Sequence, residues 1–185
     1  PDQPQFFNGS RDFDVFSASL GASYGLSGNW RLGVNLSRTA RAPAAEELFA
    51  NGAHAGTSAF EVGNPDFRTE RSWGAEAILR GSGANYSFEA SVYANRFSNF
   101  IYEDLTGEIE DGLPVYAFQQ ADARYYGFEV QGSVTLARFG ESKIVADGLA
   151  DYVRATIKGS GPAPRIPALR MLGGLAVETP KLDVR

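Results

Sequence analysis

FSASLGASYGLSGNWRLGVNLS, residues 16–37, decides the fold class. Phe16, Ala18, Leu20, Ala22 and Tyr24 alternate with Ser17, Ser19, Gly21 and Ser23. After SGN at 27–29, Trp30, Leu32, Val34 and Leu36 alternate with Arg31, Gly33, Asn35 and Ser37. Successive side chains of a strand point to opposite faces of its sheet. Period two on both sides of a three-residue link therefore predicts a tight hairpin with one apolar face.

The pattern repeats along the chain. Trp73, Ala75, Ala77 and Leu79 interleave with Gly74, Glu76, Ile78 and Arg80; GSGAN at 81–85 turns the chain; and Tyr86, Phe88, Ala90, Val92 and Ala94 answer on the next strand. Further runs occupy Tyr126–Leu136, Lys143–Tyr152 and Leu169–Glu178, with a turn near RFGES at 138–142. About seven strands result. Each is near or above the roughly 9–11 residues that a tilted strand needs to cross a bilayer, against about five or six in ordinary sheets. The links alternate. RTARAPAAEELFANGAHAGTSAFEVGNPDFRTERSW at 38–73 is far too long for a hairpin turn, and EDLTGEIEDGLP at 103–114 reads as a second interrupted stretch. Tight turns at one end and long loops at the other are the wiring of an outer-membrane barrel, with its turns periplasmic and its loops extracellular.

Composition alone does not choose between water and membrane. The chain has 185 residues, 43% hydrophobic and 21% charged, and its mean hydropathy of −0.23 averages over the alternation, since only every second residue of a spanning strand meets lipid. No run approaches the roughly 18 apolar residues of a membrane helix, and the start, PDQPQFFNGS, lacks a basic segment followed by an apolar one. Cysteine is absent, which excludes disulfides, thiolate metal sites and a cysteine nucleophile. A net charge of −5 with scattered Lys and Arg argues against nucleic acid as a partner. The chain has one histidine and no nucleophile-elbow or phosphate-loop pattern, so no enzymatic activity is expected and no catalytic residue is assigned.

The faces favour the membrane. Leu, Val, Ala and aromatic residues line one, with Trp30, Trp73, Tyr24, Tyr86 and Tyr152 near strand ends, where interfacial girdles belong. Ser, Gly, Asn, Glu, Gln, Asp and Arg line the other, and these would be costly in a dry core. A soluble lipocalin-like barrel would turn the faces the other way, burying small and aromatic residues beneath an exterior of Gly and Ser. The expected fold is all-β: an antiparallel transmembrane β-barrel segment. About seven strands do not close an even-numbered barrel, and the chain runs to LDVR without a terminal aromatic. Residues 1–185 are therefore expected to be an internal piece of a larger barrel, and the isolated piece to associate or take up detergent.

Five ordered motifs then bring a family into view. SRTARAPAAEELF at 37–49 and FEVGNPDFRTERS at 60–72 resemble a strand, loop and strand of TonB-dependent outer-membrane receptors. Arg38, Arg41, Ala42, Pro43, Glu47 and Leu48 match, as do Gly63, Asn64, Pro65 and Glu70, whereas Phe67 stands for the usual leucine and Thr69 for the usual proline. YANRFSNFIY at 93–102, ADARYYGFEVQGSV at 121–134, and DYVRATI with PAPRIPALRMLGGL in 151–175 are similar to the family in the same order. The resemblance implies an outer-membrane nutrient receptor of a Gram-negative bacterium, with outer-membrane lipid around it. Its partner would be the TonB complex, reached through a plug domain absent from residues 1–185, as are the remaining strands.

ANGAHAGTSAFEVGN at 50–64 is further similar to the zinc-uptake branch, where a histidine ligand precedes Thr-x-x-Phe-Glu. That resemblance implies His54 as a candidate zinc ligand, with the other donors from the plug and another part of the barrel. A solvated loop histidine is the plain alternative. Pro43, Glu47, Asn64, Pro65 and Glu70 are expected to shape the loop. Glu103, Asp104, Glu108, Glu110 and Asp111 form either a solvated loop or a cation-attracting mouth. No resident cofactor is expected; zinc or a metal chelate would be the transported ligand. A ferric siderophore or haem receptor, or a passive porin-like or adhesive barrel, are the other functions considered.

Overall fold

The computed structural model describes residues 9–184; most of the stretch PDQPQFFNGS lies outside the described residues. In chain order the elements are β1 (Ala18–Gly25), β2 (Trp30–Arg41), α1 (Ala45–Phe49), β3 (Asn51–His54), β4 (Ala59–Val62), β5 (Glu70–Gly83), β6 (Tyr86–Glu110), β7 (Leu113–Phe139), β8 (Ser142–Ile157), β9 (Gly161–Pro162), β10 (Arg170–Glu178) and β11 (Asp183–Val184). The strands join in one sheet in the order β1-β2-β5-β6-β7-β8-β10-β11. Along it, the strands expected from the sequence, β1, β2, β5, β6, β7, β8 and β10, are the long ones and pair antiparallel. The other four are short additions in the loops and at the end. Among the described residues β1 pairs only with β2, so the sheet is open: a partial barrel.

Register carries the two faces across the spans, with one irregularity in the β7–β8 pairing between Thr135 and Ala137 near the turn. Ala22, Val34, Ala77, Val92, Phe128 and Tyr152 stand side by side on six strands. One residue along, Asn35, Glu76, Tyr93 and Gly127 form the matching polar row. A shift of one position would exchange the faces, so the alternation itself fixes the pairing. On the polar face, cross-strand neighbours are ion pairs: Arg80 with Glu89, Arg170 with Asp151 at 2.5 Å and Lys143 with Glu178 at 2.7 Å. A cleft of about 970 Å³ runs along that face between Arg31, Arg80, Glu89, Gln131 and Asp147. On the apolar face Leu20, Leu36, Val92, Met171 and Leu175 are all more than half exposed. So large a contiguous apolar surface marks a membrane or protein contact. Its edges are aromatic, with Trp30 against Tyr86 and Phe88 at the turn end and Trp73 and Tyr126 at the loop end. From Gly81, opposite Trp30, to Trp73 the strand runs about 26 Å at its ordinary rise, the scale of the apolar band of an outer-membrane barrel.

The stretch at 103–114 differs from its reading as an interrupted loop. β6 and β7 continue as one tall ladder through Glu103↔Phe118 and Leu105↔Tyr116 to Glu110↔Leu113. The chain reverses at Asp111 (φ 52°) and Gly112 (φ 76°), the left-handed pair that a two-residue hairpin turn demands. Bulges between Phe97 and Phe100 and between Leu105 and Ile109 interrupt its register and strengthen its twist.

Burial is concentrated at this loop end. Ala123, Ala155, Ile157 and Ala163 form one cluster with Phe97, Phe100 and Tyr125; Leu48, Phe67 and Ile101 form another with Phe13, Phe49 and Phe118. Phe100 and Ile101 are neighbours on β6, so the clusters cover opposite faces of the tall hairpin. The segment 42–69 provides the second cover and crosses the hairpin to add β4 to the free edge of β7, in parallel, through Phe60↔Val115 and Val62↔Ala117. Its closure requires a glycine. A Cβ on Gly63 would lie 2.7 Å from the carbonyl carbon of Leu48 and the nitrogen of Phe49, backbone atoms that cannot turn aside, although Gly63 N–H must donate to Ala50 O at 2.7 Å. Gly63→Ala is predicted to raise amide hydrogen exchange across residues 44–67 by about tenfold or more while exchange in β5 and β8 stays unchanged. Hydrogen-exchange mass spectrometry checks this.

Candidate metal-binding loop

The long segment after β2 is held by one arginine. Arg41 ends β2 opposite Glu70, the first residue of β5, and its guanidinium reaches Glu47 Oε2 at 2.7 Å and Glu70 Oε2 at 3.1 Å. Both carboxylates are nearly covered, so each needs its partners. Glu47 Oε2 also accepts the Ala44 N–H at 2.7 Å at the start of α1, and Glu70 Oε2 accepts the Ile101 N–H at 2.9 Å. These contacts, led by the hydrogen bond to Glu47, raise the Arg41 pKa further above its already high ordinary value. The guanidinium therefore ties both ends of the loop and the tall hairpin together as a permanent cation.

Other motif residues complete the frame. Asn64 N–H donates to Glu47 O at 2.9 Å, and Asn64 Oδ1 accepts the Asp66 N–H at 2.9 Å around Pro65, a side chain mimicking a backbone turn. Gln120 on β7 receives the Arg68 N–H at 3.0 Å and donates to the carbonyls of Arg68 at 2.7 Å and Asn99 at 3.0 Å. Pro43 is buried. Pro43, Glu47, Asn64, Pro65 and Glu70 thus have structural positions.

On this frame stands the β3–β4 hairpin. Its register pairs His54 with Ala59 and Gly52 with Glu61, which puts His54 and Glu61 diagonally on one face. His54 Nδ1 lies 2.8 Å from Glu61 Oε1. A carboxylate that accepts here requires the hydrogen on Nδ1, which in the neutral imidazole leaves Nε2 its lone pair. Thr57 in the turn donates its hydroxyl to the same Oε1 at 2.8 Å. The Glu61 side chain is 9% exposed and that of His54 59%: a covered carboxylate orients an imidazole that faces outward. A Cβ added at Gly56 in the turn would lie 3.6 Å from Nε2, an ordinary van der Waals contact.

His54 ends β3 beside the turn at 55–58, on the long-loop end of the sheet. In the sequence Glu61 stands out only as part of Thr-x-x-Phe-Glu; its approach to His54 depends on the turn at 55–58, for which Gly56 and Thr57 are the local signal. Among the described residues no three His, Cys, Asp or Glu side chains gather as a metal site. Of the acids at 103–111, Glu103 pairs with Arg165 at 3.2 Å, whereas Asp104, Glu108, Glu110 and Asp111 lie exposed toward the hairpin tip.

Removing the central cation tests this frame. Arg41→Gln leaves Glu47 and Glu70 unneutralised, and trypsin cleavage after the exposed Arg68 is predicted to accelerate about tenfold with the strands below left intact. Timed digestion with peptide mapping measures it.

Comparison with known proteins agrees with the geometry. A family model described as TonB dependent receptor-like, beta-barrel matches residues 2–174. Among solved structures, the chain is similar to the copper transporter OprC, with 22% identity and a TM-score of 0.73 over 89% of this chain and 24% of that one. It is also similar to the siderophore receptor PirA from Pseudomonas aeruginosa, with 15% identity and a TM-score of 0.55 over 87% of this chain and 35% of that one. The chain thus spans about a quarter and about a third of the two, and at these identities the likeness is one of fold. With the family match over nearly its whole length, and strands, tall hairpin and loop arranged as described, the chain belongs to the TonB-dependent receptor β-barrel family.

Proposed function

We propose that residues 1–185 are part of the membrane barrel of an outer-membrane uptake receptor, and that its loop between β2 and β5 helps to capture a metal ion, zinc first, or a small metal chelate. The observation that carries this reading is the His54–Glu61 pair. A carboxylate on Nδ1 fixes the tautomer, orients the ring and raises the basicity of Nε2, the arrangement found behind most metal-bound imidazoles. Zinc takes imidazole nitrogen readily and closes its tetrahedron with about three more donors. These would come from a plug domain and other barrel segments outside residues 1–185.

Within this chain the loop offers an imidazole nitrogen as donor. The chain has no cysteine and one methionine, and Met171 stands exposed on the apolar face of β10, away from the loop. Soft sulfur donors of the kind that hold Cu(I) are thus not offered here, whereas imidazole suits Zn²⁺ and Cu²⁺. The exposed acids toward the tip of the β6–β7 hairpin would raise the local concentration of cations. Energy coupling would follow the family pattern, with the TonB complex acting through the plug, and the chain would act as a receptor and not as an enzyme. The open edges, along β1 and along β10 outside its two-residue pairing with β11, would pair with the remaining barrel strands, since hydrocarbon offers no other partner for their backbone groups.

In the intact receptor, His54→Ala is predicted to weaken zinc binding at least about tenfold, and Glu61→Gln by about tenfold through loss of the orienting carboxylate. Isothermal titration calorimetry with zinc chloride measures both. Unchanged affinity in both variants overturns the assignment and directs attention to ferric siderophores or haem.

A further inference from the structure

The apolar face of the spans ends, at the loop end, in a row of cations. Register sets Arg38, Trp73, Arg96, Arg124 and Thr156 side by side on five strands. By alternation this row shares the face of Leu36, Val92 and Phe128. Arg71, Arg154 and Lys158 lie two residues from it on the same face, and Arg154 pairs with Tyr126. Arg38 is occupied, donating to Phe16 O at 2.7 Å. Arg71, Arg96, Arg124 and Arg154 are exposed, and none has a carboxylate partner among the described residues. The acid beside them on this face is Asp122, 3.9 Å from Lys158.

This differs from the polar face, where Arg41, Arg80, Lys143 and Arg170 each sit opposite a carboxylate. Arg96 and Arg124 face each other directly, and like charges opposite one another destabilise a sheet. An anion between them removes that cost. There is room for one: beside the bulge at Phe97 a cleft of about 370 Å³ is lined by Arg96, Ser98, Arg124, Thr156 and Lys158 together with Asp122, so cations outnumber the one acid. The row also coincides with Trp73 and Tyr126, the aromatic limit of the apolar band, where headgroups lie.

We infer that this row binds the phosphate groups of an anionic lipid in the outer leaflet, with guanidinium forks on the phosphate oxygens and acyl chains on the apolar face below. The inference rests on the membrane reading given above, but not on His54 or on zinc.

The test uses the intact receptor in phosphatidylcholine nanodiscs containing a minority of phosphatidic acid, with retained lipids counted by native mass spectrometry. The wild type is expected to retain phosphatidic acid about tenfold above its share, and Arg96→Gln/Arg124→Gln/Arg154→Gln to lose that enrichment. Arg80→Gln, on the polar face, should keep it. Inorganic phosphate distinguishes the source: failure to displace the lipid supports a headgroup site, whereas displacement as ready as by phosphatidic acid overturns it in favour of a soluble anion. Equal enrichment in wild type and triple variant also overturns the inference. Should the triple variant not fold, Arg124→Gln alone must show a partial loss. Zinc affinity unchanged in the folded variant separates this result from any failure of the metal reading.

Discussion

Backbone pairing is the constraint on which this structure depends. A strand in hydrocarbon has no water to satisfy its N–H and C=O groups, so each must find a neighbour in the sheet. The side chains are then left to serve two unlike environments, and the alternation of Val34 with Asn35 or Val92 with Tyr93 is how the sequence does so. Because the period is two, every antiparallel pairing keeps Ala22, Val34, Ala77, Val92, Phe128 and Tyr152 on one face. The polar face is then free to hold ion pairs and a cleft that an apolar core could not.

The loop end obeys different physics. Above Trp73 the sheet needs an ordinary water-excluding core, and it builds two small ones on opposite sides of the β6–β7 hairpin. Arg41 binds the parts, touching Glu47 beside α1 and Glu70 at the start of β5, while Glu70 also receives Ile101 N–H. A rigid frame of this kind lets a short hairpin carry an outward imidazole in a fixed orientation. The same separation of environments leaves Arg96 and Arg124 at the boundary, outside the reach of the lumenal carboxylates.

Much of this was legible in the residues. Period-two runs located the seven long strands because the faces differ so strongly in polarity. The tall hairpin was not legible from that pattern: Glu103, Asp104, Glu108 and Glu110 place charge on both faces, and the bulges shift the period. Asp111-Gly112 was the local clue, a dipeptide suited to two left-handed residues in succession. His54 stood out as the lone histidine within a family-like stretch. Glu61 did not, because a partner seven residues away becomes a neighbour only after the turn at 55–58 sets the register. The cation row was likewise invisible, since Arg38, Arg96, Arg124 and Arg154 come from four strands and meet only through pairing.

The central claim is that the face bearing Val34, Val92 and Phe128 meets lipid and the face bearing Asn35, Tyr93 and Gly127 meets the lumen. Single cysteines carrying an environment-sensitive fluorophore, placed in turn at positions 89 to 95 of β6 in the intact receptor, report this directly in bilayers containing nitroxide-labelled acyl chains. The account predicts quenching with period two, strong at Ala90, Val92 and Ala94 and weak at Glu89, Ser91, Tyr93 and Asn95. Strong quenching at the odd positions, or none at any, would contradict it.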